Sequence, residues 1–168
     1  MNKSQIETSK ILQDFISGVS KPITAETLIE IRDKIYTHIK IRPYDETTKE
    51  HEKSIRWKRT ASQILGDGFV YQGKSCTDLS VLFIAICKIL GLDAMLVKLK
   101  KDTKTHSIVE VKLEDGWCMF DVSSQTNIPQ RGEVTETTPY KGWQLWKKGR
   151  DAWDLDLVDF DSIRKINS

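Results

Sequence analysis

The sequence predicts an α+β fold in which one buried helix packs on an antiparallel sheet and the N-terminal region is helical. Residues 79–90 are apolar on every side except at Ser80 and Lys88, and this pattern is typical of a buried helix. Three segments with strand-like alternation follow, and the short turns between them indicate antiparallel pairing. Because the helices precede the strands rather than alternate with them, the pattern does not favour a parallel sheet.

Two amphipathic helices are predicted in the first part of the chain. The first ends at Gly18, and the second begins near Thr24, which can cap it, and ends at Pro43. Residues 45–58 have mixed charge, which predicts a solvated loop leading into a third helix that ends near Leu65. The apolar stripes of the first two helices consist of Ile6, Ile11, Phe15, Ile16 and Val19, and of Leu28, Ile31, Ile35 and Ile39.

The predicted sheet is a meander of three strands at residues 94–100, 106–113 and 117–122. Short polar segments separate these strands and predict tight turns. Gly91 follows the buried helix and is expected to adopt the left-handed conformation that ends a helix. From residue 123 onward the sequence is loop-like and then rich in tryptophan and aspartate, and we expect those tryptophans to pack on the sheet.

Length and composition predict one domain. The chain has 168 residues, 39% of them hydrophobic, which is enough to build a core. We expect a single domain over residues 1–168, divided into a helical part (1–65), a core with the candidate active site (66–123) and a C-terminal packing segment (124–168). The 26 basic and 24 acidic residues leave a net charge of only +2, which argues against binding to nucleic acid.

The sequence predicts neither a membrane-spanning segment nor a secretory signal. No apolar run approaches the ~20 residues that span a bilayer, and no apolar secretory segment follows Lys3. The three cysteines are an odd number at wide spacing, in a chain large enough to fold without disulfides. We therefore expect a cytoplasmic protein without membrane contact, in which a cysteine in a polar environment would serve reactivity.

Cys76, His106 and Asp121 are the candidate catalytic residues. Cys76 stands at the expected start of the buried helix, where unpaired backbone N–H groups favour a thiolate and can donate to an oxyanion. His106 opens the second strand and Asp121 closes the third, so we expect them to be adjacent across the ladder. Cysteine would attack, histidine would move the proton and aspartate would orient the histidine. By chemistry alone, Gln72 and Trp57 are candidates for a second oxyanion donor.

Two other motifs suggest different chemistry. Residues 68–75 match the phosphate-loop pattern G-x-x-x-x-G-K-S. A phosphate loop follows a buried strand in a parallel sheet, whereas this segment follows a predicted helix and precedes antiparallel strands. Four possible metal ligands lack the close spacing of structural zinc sites: Cys76, Cys87, His106 and Cys118. We therefore expect neither a metal nor an organic cofactor.

Residues 64–123 resemble the catalytic core of the transglutaminase-like superfamily. The family pattern has a glycine and a cysteine at the start of a buried helix, Leu-Gly at its end, His-x-x-x-Glu on a strand and a closing Gly-Trp-x-x-x-Asp hairpin. In this chain the pattern corresponds to Gly73 and Cys76, Leu90-Gly91-Leu92, His106 and Glu110, and Gly116-Trp117 with Asp121. The glycine stands three residues before the cysteine rather than two, and Ile108 replaces an aromatic residue that often follows the histidine.

The resemblance implies a papain-like fold and acyl transfer through a Cys-His-Asp triad at Cys76, His106 and Asp121. We therefore expect a cysteine-dependent enzyme acting on protein or peptide amides, either a protease- or deamidase-like hydrolase or a transglutaminase. Hydrolysis is preferred because the chain predicts one small domain. The alternatives are a catalytically silent binding module with the same fold and a phosphate-loop nucleotide-binding protein. No particular oligomeric state is indicated.

Overall fold

Residues 3–19 and 21–167 are described by a computed structural model, in which the N-terminal region is helical as predicted. Its helices are α1 (Lys10–Phe15), α2 (Ala25–His38), α3 (Lys49–Ile55) and α4 (Ala61–Asp67). Thr24 caps α2, because its side chain accepts a hydrogen bond from the backbone N–H of Thr27. The apolar stripe predicted for this helix is buried, with Leu28 completely inaccessible to solvent.

The end of the second helix differs from the prediction. It ends at His38 rather than Pro43, because residues 40–42 form β1 (Lys40–Arg42), which pairs in parallel with β2 (Phe69–Tyr71). Gly68 makes β2 possible, since its left-handed φ of +73° ends α4 and turns the chain into the strand. Each of these two paired strands has only three residues, which is too short for a periodic pattern that the sequence could reveal.

The charged segment at residues 45–58 is also different from the predicted loop, because α3 lies within it. Glu52 of this helix is 3% exposed and forms an ion pair with Arg56. Glu52 and Arg56 neutralise each other where the helix packs on the protein, so the mixed charge of residues 45–58 does not keep the whole segment in solvent.

The buried helix is α5 (Cys76–Ile89), and every residue from Thr77 to Cys87 is buried. Its aromatic anchor is Phe83, whose ring meets the edge of Phe120 with centroids 5.6 Å apart. Gly91 follows the helix with a φ of +80°, which confirms the predicted left-handed end. The helix therefore packs on the sheet and carries Cys76 as its first residue.

The main sheet is antiparallel throughout and has the strand order β6-β5-β4-β3-β7. Its strands are β3 (Ala94–Lys101), β4 (Lys104–Leu113), β5 (Gly116–Phe120), β6 (Gln130–Arg131) and β7 (Gln144–Gly149). The predicted meander and the α+β class are confirmed. The segment predicted to be loop-like contributes β6 and β7, which cover the two edges of the meander. β7 pairs with β3 through a register shift, so it has no regular alternation that the sequence could reveal.

The C-terminal segment, residues 150–167, returns to the N-terminal part of the chain. It contains two short 3₁₀ turns and α6 (Arg164–Asn167). Asp151 is completely buried and accepts hydrogen bonds from the backbone N–H of Gln5 and the hydroxyl of Ser4. The indole Nε1 of Trp153 donates to the carbonyl of Trp57 at 2.6 Å. One hydrophobic core contains residues from Ile6 to Ile166.

In the part of the chain that the structure describes, no helix has the length and apolarity needed to cross a bilayer.

Candidate active site

Cys76 lies where the polar segment after β2 turns into α5. Gly73 has a φ of +74°, which L-residues rarely adopt, and it allows the turn in which Lys74 N–H donates to the carbonyl of Tyr71. The first intrahelical bond runs from Leu79 N–H to the Ser75 carbonyl. The backbone N–H groups of the residues between them therefore have no partner within the helix and point toward its N-terminus. This position favours an anionic sulfur and an oxyanion beside it.

The segment that matches the phosphate-loop pattern has the wrong structural context for that role. Residues 69–71 form the short strand β2, all three of them buried, and α4 precedes this strand. The pattern thus spans an extended buried strand rather than a loop whose N–H groups surround a phosphate. The strands that follow α5 are antiparallel, as the tight turns predict.

His106 and Asp121 meet at the open end of the β4–β5 pair. His106 Nε2 donates to Asp121 Oδ2 at 2.7 Å. The paired part of the two strands stops at Val109 opposite Phe120, so the contact runs diagonally beyond the ladder rather than between directly opposed residues. Ser123 fixes the other carboxylate oxygen, because its backbone N–H and its hydroxyl both donate to Asp121 Oδ1.

The His106 ring, which is hydrogen-bonded to Asp121, also interacts with Cys76. Burial alone raises the pKa of the Cys76 thiol, but a hydrogen bond from His106, the charge of Lys98 and the charge of His106 lower it to about 6. Burial lowers the pKa of His106, whereas its hydrogen bonds to Asp121 and Cys76 raise it to about 10. The two shifts favour a thiolate–imidazolium pair at neutral pH. The pKa of Asp121 is lowered, since the hydrogen bond and charge of His106 outweigh burial.

The other two cysteines have a different environment. Burial raises the pKa of the Cys87 thiol, which lies inside α5, and also that of Cys118 in β5. All three cysteines are free thiols. Within residues 3–19 and 21–167, no group of three or more His, Cys, Asp and Glu side chains is arranged to hold a metal ion. Cys76 is thus the cysteine whose surroundings favour the thiolate.

A cleft of about 420 Å³ opens beside Cys76. Trp57 and Trp143 form apolar parts of its wall, whereas the exposed Gln72 does not line it. Of the two suggested oxyanion donors, only Trp57 therefore lines the cleft. The Trp143 ring also lies against the His106 ring, with centroids 5.4 Å apart. Trp143 packs on the sheet, as expected for the tryptophans of this segment, and it also covers the His106 imidazole.

The charged residues of the cleft wall are all basic. No carboxylate among the described residues lines the cleft, and its basic residues are Arg56, Lys74, Lys98 and Lys104. Arg56 is paired with Glu52, while Lys74 and Lys104 are exposed to solvent. A cleft with charges of one sign attracts groups of the opposite sign.

Lys98 is a residue of this site that the sequence analysis did not identify. It is 1% exposed, and its Nζ donates to the hydroxyls of Thr77 and Ser107. A lysine between Val97 and Leu99 in a predicted strand is the signal that could have marked it. The remaining histidines are structural, since His38 Nε2 contacts the Leu65 carbonyl. His51 Nδ1 likewise contacts the Tyr71 hydroxyl.

Comparisons with known proteins agree with this fold. A family model described as the transglutaminase-like superfamily matches residues 9–122. The chain is similar in structure to the crystal structure of a proposed cysteine protease from Cytophaga hutchinsonii, with a TM-score of 0.62 and 17% sequence identity. That similarity covers 94% of this chain but only 47% of the other, so this chain spans about half the length of that protein. No curated protein matches the sequence.

Proposed function

Because this chain belongs to the transglutaminase-like superfamily, we propose that it is a cysteine-dependent acyl-transfer enzyme that acts on protein or peptide amides. Cys76 would be the nucleophile, His106 the general base and acid, and Asp121 the residue that orients His106. The observation that carries this proposal is the hydrogen bond from His106 to Asp121 at the N-terminus of α5, together with the interaction by which His106 and Cys76 each shift the pKa of the other.

The proposed reaction begins with the thiolate–imidazolium pair. The Cys76 thiolate attacks the amide carbonyl carbon, and the carbonyl π electrons move to the oxygen to give a tetrahedral oxyanion. The Cys76 backbone N–H lies at the helix start and can donate to this oxygen, and the Trp57 indole in the cleft wall is a second candidate donor. When the oxyanion collapses, the carbon–nitrogen bond breaks, His106 gives its proton to the leaving amine, and a thioester remains on Cys76.

Water is the acceptor that the cleft favours. Neutral His106 would remove a proton from water as the water oxygen attacks the thioester, and the carbon–sulfur bond would then break to release a carboxylic acid and restore the Cys76 thiolate beside protonated His106. A protonated lysine of a second protein would have to approach Lys74, Lys98 and Lys104, which repel it. We therefore propose hydrolysis of the amide rather than transfer to a lysine.

The proposed chemistry needs Cys76 as a free thiol, which agrees with a reducing, cytoplasmic environment. The proposed partner is a protein or peptide substrate. Mass spectrometry can distinguish the possible reactions, because peptide cleavage, deamidation and amine transfer each change the mass of a peptide differently.

The proposal is tested by mass spectrometry of a peptide library incubated with the protein, with and without a small primary amine. We expect cleavage or deamidation that Cys76→Ala abolishes and that Cys87→Ala leaves intact. Amine incorporation that exceeds hydrolysis would show that the acceptor assignment is wrong. If no product forms and Cys76 reacts with iodoacetamide only at the pH of an ordinary thiol, the chain is instead a binding module.

The phosphate-loop alternative has its own test by calorimetry with Mg-ATP. We expect no binding, because residues 69–71 are a buried strand. Tight binding of Mg-ATP that Lys74→Ala removes would favour a nucleotide-binding protein over the proposed enzyme.

A further inference from the structure

Lys98 is a fully buried lysine whose side chain reaches Thr77, the residue after the candidate nucleophile. It lies in the middle of β3 with 1% of its surface exposed. Its Nζ donates to Thr77 Oγ1 at 3.1 Å and to Ser107 Oγ at 3.0 Å, and it sits 4.7 Å from the centroid of the Trp57 ring. These three partners are neutral. Among the described residues, no carboxylate forms an ion pair with it.

The two hydroxyl partners are the chain neighbours of the reacting residues. Thr77 follows Cys76 and Ser107 follows His106, and their hydroxyl oxygens are 2.9 Å apart. Lys98 and Ser107 are directly opposed across the β3–β4 ladder. One ammonium group thus connects the first turn of α5 to the strand that carries His106.

A buried ammonium requires a compensating negative charge or a complete set of acceptors. Burial lowers the pKa of Lys98, and the charged groups that act on it are Cys76 and Asp78, which raise this pKa, and Arg56, which lowers it. Asp78 is held by Arg59 at 2.8 Å, and Arg56 is a further positive charge that is paired with Glu52. The Cys76 sulfur is therefore the group near Lys98 that can become an anion without losing another partner.

We propose that Lys98 is a positioning residue of the active site, whose buried positive charge stabilises the Cys76 thiolate and whose hydrogen bonds to Thr77 and Ser107 hold the sulfur in line with His106. This inference rests on the proposed function, because it assigns a role relative to the same thiol. The charge favours the form of Cys76 that attacks.

The first test is the pH dependence of Cys76 alkylation by iodoacetamide, followed at Cys76 by peptide mass mapping. In the wild-type protein we expect the rate to rise with a midpoint of about pH 6. Lys98→Met keeps most of the length of the side chain and removes the charge. We expect it to raise the midpoint by about one pH unit, the low end of the effect of a neighbouring opposite charge.

Two lysine variants serve as controls. Lys100→Met makes the same change two residues away on β3, at a lysine that is not among the groups shifting the Cys76 pKa, and should leave the midpoint unchanged. Lys74→Met removes an exposed charge from the cleft wall, and solvent screening should make its effect clearly smaller than that of Lys98→Met. A shift as large in Lys74→Met would contradict a special role for the buried charge.

The second measurement uses the wild-type protein and so does not depend on whether Lys98→Met folds. Carbamidomethylation turns Cys76 into a neutral thioether. Because coupling between two titrating groups is reciprocal, the Lys98 titration midpoint, followed by NMR of its side-chain carbon next to Nζ, should fall on modification.

The outcomes separate this inference from the proposed function. The role of Lys98 would be overturned if the alkylation midpoint stayed at about pH 6 in folded Lys98→Met. It would also be overturned if carbamidomethylation left the Lys98 titration midpoint unchanged. Either result would leave the proposed enzyme intact. A wild-type midpoint near that of a free thiol, about pH 8.5, would instead overturn the proposed function itself.

Discussion

His106 donates to Asp121 through Nε2 at 2.7 Å, which leaves Nδ1 as the ring nitrogen available to Cys76. Asp121 is itself held by two donors from Ser123, and Trp143 covers the ring. The imidazole therefore has one fixed orientation, and its protonated form has a partner on each side. The proposed chemistry depends on this orientation of the imidazole.

Asp121→Asn should remove most of the activity while leaving the fold in place. The amide carries no negative charge to hold a proton on His106, so the pKa of His106 should fall and the tautomer preference should be lost. We expect kcat/KM for the best peptide to decrease on the order of 10³-fold. The measurement is steady-state kinetics, together with NMR titration of His106.

Ser123→Ala is the matched control for this change. It removes the hydroxyl donor but keeps the backbone N–H of Ser123 on Asp121, at 3.0 Å. The loss should stay below about tenfold, in line with a single hydrogen bond. An Asp121→Asn enzyme with activity close to that of Ser123→Ala would show that the carboxylate charge has no catalytic role.

The pH dependence of kcat/KM should be a broad plateau. Below about pH 6 the Cys76 sulfur takes up a proton and ceases to attack, and above about pH 10 His106 loses the proton that the leaving amine needs. An unperturbed pair would have no such window, because the thiol would ionise at about pH 8.5 and the imidazole would lose its proton at about pH 6.5. A narrow optimum instead of a plateau would contradict the thiolate–imidazolium pair.

The fold of the central part could be predicted from the sequence because its signals are local. The all-apolar run of α5 and the polar turns of the meander are visible without knowledge of distant partners. The same turns fix which strands are neighbours, and this brings His106 and Asp121 together. Cys76 could be placed because a helix start is marked by the change from polar to apolar residues.

The remaining features depend on partners far away in the chain. β1 has three exposed residues and gains its structure only by pairing with β2, while β7 is defined by the free edge of β3. Lys98 alternates with apolar neighbours as an exposed residue of an edge strand would, but β7 and α5 cover it. Trp57 reaches the cleft because the C-terminal segment holds its backbone, which no local pattern reveals.

Trp153→Phe should reduce activity and stability together. The indole N–H of Trp153 fixes the carbonyl of Trp57, a residue held at a left-handed φ of 60° in the cleft wall. Removing that donor should lower kcat/KM about tenfold and the free energy of unfolding by only about 1–2 kcal/mol. Trp146→Phe, at a tryptophan that does not line the cleft, should leave kcat/KM within about twofold. Equal losses in both variants would contradict the link between Trp153 and the cleft.

Phe83→Ala should destabilise the protein without changing the reactivity of the thiol. Phe83 is fully buried and meets Phe120 where α5 packs on the sheet. We expect the free energy of unfolding, measured in urea, to decrease by about 3–5 kcal/mol, and by less in Phe83→Leu. The alkylation midpoint of Cys76 should remain at its wild-type value, since the change is about two helical turns away. A decrease below about 1 kcal/mol would be inconsistent with this packing.

The hydrogen bond between Trp153 and Trp57 implies that reactivity and substrate selectivity depend on different parts of the chain. The sulfur, imidazole and carboxylate come from a stretch of fewer than fifty residues, whereas the shape of the opening beside them is held by the other end of the chain. Mutations after residue 149 would therefore retune which acyl group enters while the nucleophile stays as it is. We expect relatives that diverge after residue 149 to share one chemistry and to differ in the substrates that they accept.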